Sequence, residues 1–240
     1  MTLLTGETDV FSADAAADGR AVVLFLSKRQ GDEEGVYGAA EAAAVTAVLQ
    51  ELAAEGWRLS VRAMFDVDIN EPAAFETGFA HGVDIVGAFE APSLSAALAG
   101  TVRLERAGWA RRFTTEWLIG PREFATVAGR GGEIDRPWGF IALWEWNDAW
   151  TAASPEARRE YDLECDVAFN GDLDLNINIA GRHRLDWAHG WHHLGIWEAA
   201  TLEAVDSAMQ GHEHAADFMF TTSRHFVGRR RPLADLIAAA

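Results

Sequence analysis

The sequence predicts an α+β protein: a tandem duplication of a ferredoxin-like unit whose sheets close into an α+β barrel. Three observations predict it. The segments FAHGVDIVGAFEAPSLSAAL at 79–98 and WAHGWHHLGIWEAATLEAVD at 187–206 align without a gap at an offset of 108. Beyond them Phe113-Thr114-Thr115 is echoed by Phe220-Thr221-Thr222, and Gly120 by Gly228, with a single-residue slip. Each half also repeats one order of patterns, β-α-β-β-α-β, the ferredoxin-like order. A repeat of this length is too long for a solenoid unit, so each copy is a supersecondary assembly with its own sheet.

In the first half, 20–28 (RAVVLFLSK) is an apolar run suited to a buried strand, and 39–55 is an Ala-rich helix ended by Gly56. Strands follow at 57–66 and 82–90, then a helix at 93–106 and a strand at 112–119. The second half gives strand 138–146, helix 155–168, strands 172–182 and 191–198, helix 201–215 and strand 218–227. Ser154 before Pro155 and Glu156 is a strong helix start: a capping hydroxyl, a proline at the first helical position and an acid in the first turn. The glycine-rich, polar stretch 124–136 reads as a linker. The domains are therefore an N-terminal repeat over 1–123 and a C-terminal repeat over 137–240, the latter holding the pocket.

With 240 residues, 49% of them hydrophobic, the chain can bury a sizeable core. No stretch approaches the roughly 20 apolar residues of a membrane span. The N-terminal MTLLTGETDV lacks a basic region followed by an apolar one, so a soluble cytoplasmic protein is expected. The formal net charge of −17 repels polyphosphate and argues against nucleic acid as a partner. Cys165 is the single cysteine and forms no internal disulfide.

Several residues carry candidate chemistry. Trp138, Trp144 and Trp146 recur at even positions of one strand beside Phe140, which gives either a bulky core or an aromatic wall for a ligand. In DLDLNINIAG, alternation sets Asp174, Asn176 and Asn178 against Leu173, Leu175, Ile177 and Ile179, so that an inner polar stripe would line a cavity. Six histidines crowd into 183–214, but their spacing matches no helical metal motif; His183 and His193 are kept as pocket residues. Cys165 lies on the same helix face as Tyr161 and Ala168, either as a ligand or as a small buried hydrophobe.

The run FIALWEWNDAWTAASPEARREYDLECD and the ending FVGRRRPLADLIAAA together resemble the chlorite dismutase superfamily, which includes chlorite-decomposing enzymes and coproheme decarboxylases. The resemblance implies heme b or a related porphyrin between sheet and helices of the C-terminal repeat. Aligned through Glu156, Arg158 and Arg159, the family's proximal histidine falls on Cys165 and its distal residue on Asn178. Cys165 would then be the axial ligand of the heme iron, since thiolate is a competent iron ligand. Asn178 would be the distal hydrogen bonder, with Trp144, Trp150 and Tyr161 around the cofactor. The tyrosine that coproheme decarboxylases use as a radical site falls near Trp144, and no arginine stands at the distal position. The resemblance therefore implies a scaffold and a pocket rather than either of those reactions.

The leading expectation is a heme-dependent oxidoreductase acting with peroxide or dioxygen on a small molecule, assembled as a homo-oligomer, a dimer or a pentamer as in the family. The competing expectation is a heme-free barrel, either a cofactor-independent monooxygenase or a small-molecule binding protein.

Overall fold

The computed structural model describes residues 18–30, 37–78 and 80–238. The segment MTLLTGETDV and Phe79 of the first repeat lie outside them. In chain order the strands are β1 (Ala21–Arg29), β2 (Ala73–Glu76), β3 (Ile85–Ala91), β4 (Phe113–Pro121), β5 (Trp138–Trp146), β6 (Asn178–Arg184), β7 (His193–Ala199) and β8 (Thr221–Pro232). The four long helices are α1 (Ala39–Ala54), α2 (Leu94–Leu104), α3 (Pro155–Asp174) and α4 (Leu202–His214). Among the described residues, no helix is long and apolar enough to cross a membrane.

The chain divides into two compact units, Asp18–Arg122 together with residues from Phe226 onward, and Glu123–His225. The strand order is β4-β1-β3-β2 in the first, with the end of β8 beyond β2, and β8-β5-β7-β6 in the second. Each follows the ferredoxin-like pattern: two antiparallel inner strands, with the second and fourth strands of the unit flanking them. The C-terminal segment thus belongs with the first unit, not with the 137–240 repeat that the sequence suggested. Ala73–Glu76 pairs antiparallel with Arg229–Pro232.

The internal repeat has a physical counterpart at equivalent positions. Ser93 Oγ accepts from Ala96 N at 3.1 Å and Thr201 Oγ1 accepts from Ala204 N at 3.1 Å, so the same hydroxyl cap starts α2 and α4. Gly87 and Gly195 each lie under a large ring. A Cβ on Gly87 would sit 2.2 Å from the Phe25 ring, and one on Gly195 would sit 2.2 Å from the Trp197 ring. Glu90 and Glu198 are both fully buried. Glu90 is met by Arg20 and Arg58, each at 2.6 Å, and by Arg122, so the buried carboxylate is fully compensated. The hydrophobic core of the first unit packs Phe25, Trp57, Phe89, Trp109 and Phe113.

Four sequence expectations change. The 57–66 segment is not a strand: Leu59 N donates to Asn70 Oδ1 at 2.8 Å and Ala63 N to Ser60 Oγ at 3.2 Å, and Arg62–Phe65 is a helical turn. These side chains take N–H groups that a ladder would need, and Ala73–Glu76 supplies the strand beside β3 instead. The helix begun at Pro155 runs to Asp174 rather than 168.

Strand 172–182 accordingly starts only at Asn178. Asn176 takes a left-handed conformation at φ 60°. Asn176 N then donates to Leu173 O, and Ile177 N to Asp172 O, each at 3.0 Å, closing the helix end. The alternation in DLDLNINIAG spans this helix end and turn rather than one strand. Finally, 124–136 is not a free linker. Val127 and Ile179 exchange backbone hydrogen bonds of 2.8 and 2.9 Å, and the buried Arg136 donates to Asn176 O at 2.8 Å.

Candidate functional site

A cavity of about 110 Å³ lies within the Glu123–His225 unit, lined by one sheet face and by α3 and α4. Alternate residues of β5, Phe140, Ala142, Trp144 and Trp146, reach it as the period of two requires. Ile179, Trp197, Ser223 and His225 extend the sheet wall. From α3 come Tyr161, Asp162, Cys165, Asp166, Phe169 and Asp172, which recur at helical spacing on one face. From α4 come Val205, Ala208, Met209 and His212. Gly195 makes the wall possible: a Cβ there would strike both Trp197 and Trp144.

A chain of hydrogen bonds runs through the polar side of this wall. His212 Nδ1 lies 2.6 Å from Asp217 Oδ2, and Nε2 lies 3.1 Å from Asp172 Oδ2. Asp172 Oδ2 also accepts from Trp197 Nε1 at 3.0 Å. The Tyr161 hydroxyl donates to Asp217 Oδ1, as does Cys165 Sγ at 3.2 Å. Burial opposes charge on His212, but hydrogen bonds to Asp172 and Asp217 outweigh it and raise its pKa to about 10. His212 is therefore an imidazolium at neutral pH, with both N–H groups committed to carboxylates. Burial likewise opposes charge on Asp217, and the His212 contact overrides it and holds its pKa below the usual value. Burial, then Asp217, pushes the Tyr161 hydroxyl and the Cys165 thiol far up.

Two further lining groups stand outside this chain. Asp162 makes no hydrogen bond or ion pair among the described residues, and burial raises its pKa despite the attraction of Arg182. His225 touches the rings of Phe140 and Phe218, and burial lowers its pKa, so the imidazole is neutral.

Three of the sequence-predicted residues, Trp144, Tyr161 and Cys165, meet in the cavity wall. Asn178 does not: it is buried away from the cavity, where Oδ1 accepts from Gly129 N at 2.9 Å. The turn at Asn176 reverses the faces read from the alternation, and Ile177 and Ile179 reach the cavity instead. Trp150 is buried behind the wall, stacked on Trp146 at 4.2 Å between ring centroids. His193 stacks on Trp144 at 5.3 Å, and burial, then Arg182, lowers its pKa to about 3. His183 is fully buried and outside the lining.

The residues that sequence reasoning missed are Asp172, His212, Asp217 and His225. His212 is one of the six histidines in 183–214, whose spacing matches no helical metal motif. The available signal was local: His212 and Asp217 flank a helix end, five residues apart.

The described fold and cavity define an α+β protein with an interlayer site between sheet and helices. The fold is that of the chlorite dismutases. A chlorite dismutase from Candidatus Nitrospira defluvii in complex with imidazole is similar at a TM-score of 0.71 and 15% identity, covering 91% of this chain and 94% of that one. A mutant of that enzyme in complex with cyanide gives a TM-score of 0.69 at 14% identity, covering 94% and 98%. No family model and no curated protein matches the chain by sequence.

The heme that the resemblance implies does not fit this wall as it stands. Cys165 donates its proton to Asp217, and a thiolate beside that carboxylate would be opposed by like charge. The lining carries four carboxylates, Asp162, Asp166, Asp172 and Asp217, against Arg182 and His212, which repels the anionic edge of a porphyrin.

Proposed function

We propose that the Glu123–His225 unit is a small-molecule binding site on the chlorite dismutase fold, working without iron held by Cys165. The observation that carries this reading is the wall itself: aromatic rings on the sheet side, and on the helix side a hydrogen-bonded chain that commits both Cys165 and His212. Largely apolar concave sites with a few convergent polar groups are the usual form of a small-ligand pocket.

A heme-dependent oxidoreductase acting with peroxide or dioxygen is the second reading. It is favoured by the flat aromatic faces of Trp144 and Trp197 and by the fold shared with chlorite dismutases. In that reading the neutral imidazole of His225, rather than Cys165, is the side chain suited to a metal.

One experiment separates the two. Protein from heme-supplied cells, and apoprotein titrated with hemin, is examined by absorption spectroscopy. The first reading expects no Soret band beyond that of free hemin. A stoichiometric Soret band that survives gel filtration would overturn it in favour of the second.

A further inference from the structure

We propose that the cavity selects a cation: a small aromatic amine, protonated at neutral pH, with its ammonium group on Asp162 and its ring against the tryptophan wall. This rests on the reading of the cavity as a small-molecule site.

The argument starts from which charges remain available. Both nitrogens of His212 are taken by Asp217 and Asp172, at 2.6 and 3.1 Å. Arg182 Nε is taken by Glu123 Oε2 at 2.8 Å. His212 is therefore not offered to an incoming anion, and Arg182 keeps its Nη2 without a hydrogen bond among the described residues. On the other side of the balance, Asp162 is half-buried in the wall and has no hydrogen bond or ion pair among the described residues. A partly desolvated carboxylate without a partner is costly, and a ligand ammonium removes that cost.

The geometry supplies the rest. Asp162 shares a face of α3 with Cys165, Asp166 and Phe169, at the three- and four-residue spacings that place side chains together. The opposite wall presents Trp144, Trp146 and Trp197, and a cation over an aromatic face is attracted to the ring as well as to the carboxylate. An anionic ligand of the same shape meets the Asp162 carboxylate, and a neutral one leaves Asp162 unpartnered.

The test uses the full-length protein and three probes of one ring size: benzylamine, benzyl alcohol and benzoate. Binding is followed by tryptophan fluorescence and calorimetry at fixed ionic strength and pH 7. Benzylamine is expected to bind at least about tenfold more tightly than benzyl alcohol, and benzoate not at all. Asp162→Asn should bring benzylamine down to the level of benzyl alcohol while leaving the alcohol unchanged. Since Asp162 holds no other group, this variant should fold normally, which circular dichroism checks.

Equal binding of amine and alcohol, tighter binding of benzoate, or an unchanged amine affinity in Asp162→Asn would overturn the cation selection while leaving the small-molecule reading in place. If none of the three binds, and Trp144→Ala opens no space for them, the small-molecule reading itself fails.

Discussion

His212 on the last turn of α4 and Asp217 at the start of the next helical turn are joined through a left-handed Ala216, at φ 58°, that brings their side chains to 2.6 Å. A non-glycine residue in this conformation carries a local cost. Here the turn sets a buried imidazolium between Asp217 and Asp172.

That pair makes the fold sensitive to alkaline pH. The folded pKa of His212 is raised to about 10, above the ordinary histidine value, by Asp172 and Asp217 acting against burial. Its stabilisation is therefore complete below about pH 6.5 and is lost as the pH rises toward 10. Urea unfolding across this window should show a loss on the order of a few kcal/mol, each pKa unit being worth about 1.4 kcal/mol. His212→Gln should be less stable at pH 7 and nearly flat over the same range. A wild-type profile as flat as that of the variant would refute the buried cation.

The thiol of Cys165 should be unreactive. Burial first, then the Asp217 carboxylate, pushes its pKa far above the ordinary thiol value, and the thiolate is the nucleophile. Reaction with Ellman's reagent at pH 8 should run at least about tenfold slower in the native protein than in urea. Asp217→Asn, which removes the negative neighbour, should quicken the native reaction. Rapid labelling of the folded wild type would contradict the arrangement.

Asn178 should matter to stability and not to the cavity. The oxygen of this buried carboxamide takes the part-buried Gly129 N–H at 2.9 Å. Asn178→Ala should therefore cost about 1–3 kcal/mol, the penalty of leaving a buried donor unpaired. Affinity for cavity probes should stay within twofold of wild type. A selective loss of binding with unchanged stability would return Asn178 to the site.

Much of the fold was legible in the sequence because its signals are local. The buried run at Ala21–Arg29, the aromatic strand at Trp138–Trp146 and the Ser154 cap each declare one element. The offset between the two repeats carries matching caps at Ser93 and Thr201. The 172–182 stretch failed for an equally local reason: one left-handed asparagine turns an apparent strand into a helix end, and every face beyond it is reassigned. The site was less legible because its parts come from separate elements. Asp172 on α3, His212 on α4 and Trp197 on β7 meet only when helices and sheet pack, and no spacing in the chain marks that meeting.

The strand β8 begins within the Glu123–His225 unit and ends within the unit that starts at Asp18. Its final residues pair with Ala73–Glu76, and Gly228 allows that approach, since a Cβ there would lie 2.8 Å from Glu76 O. During synthesis, then, the earliest-made sheet waits for the last-made strand. Roughly a hundred residues separate Arg122 from Arg229, and at about 5–20 residues per second the ribosome needs on the order of ten seconds to deliver it. Through that interval β2 is an open edge, which makes the nascent first unit a natural client for chaperones and a poor candidate for expression by itself.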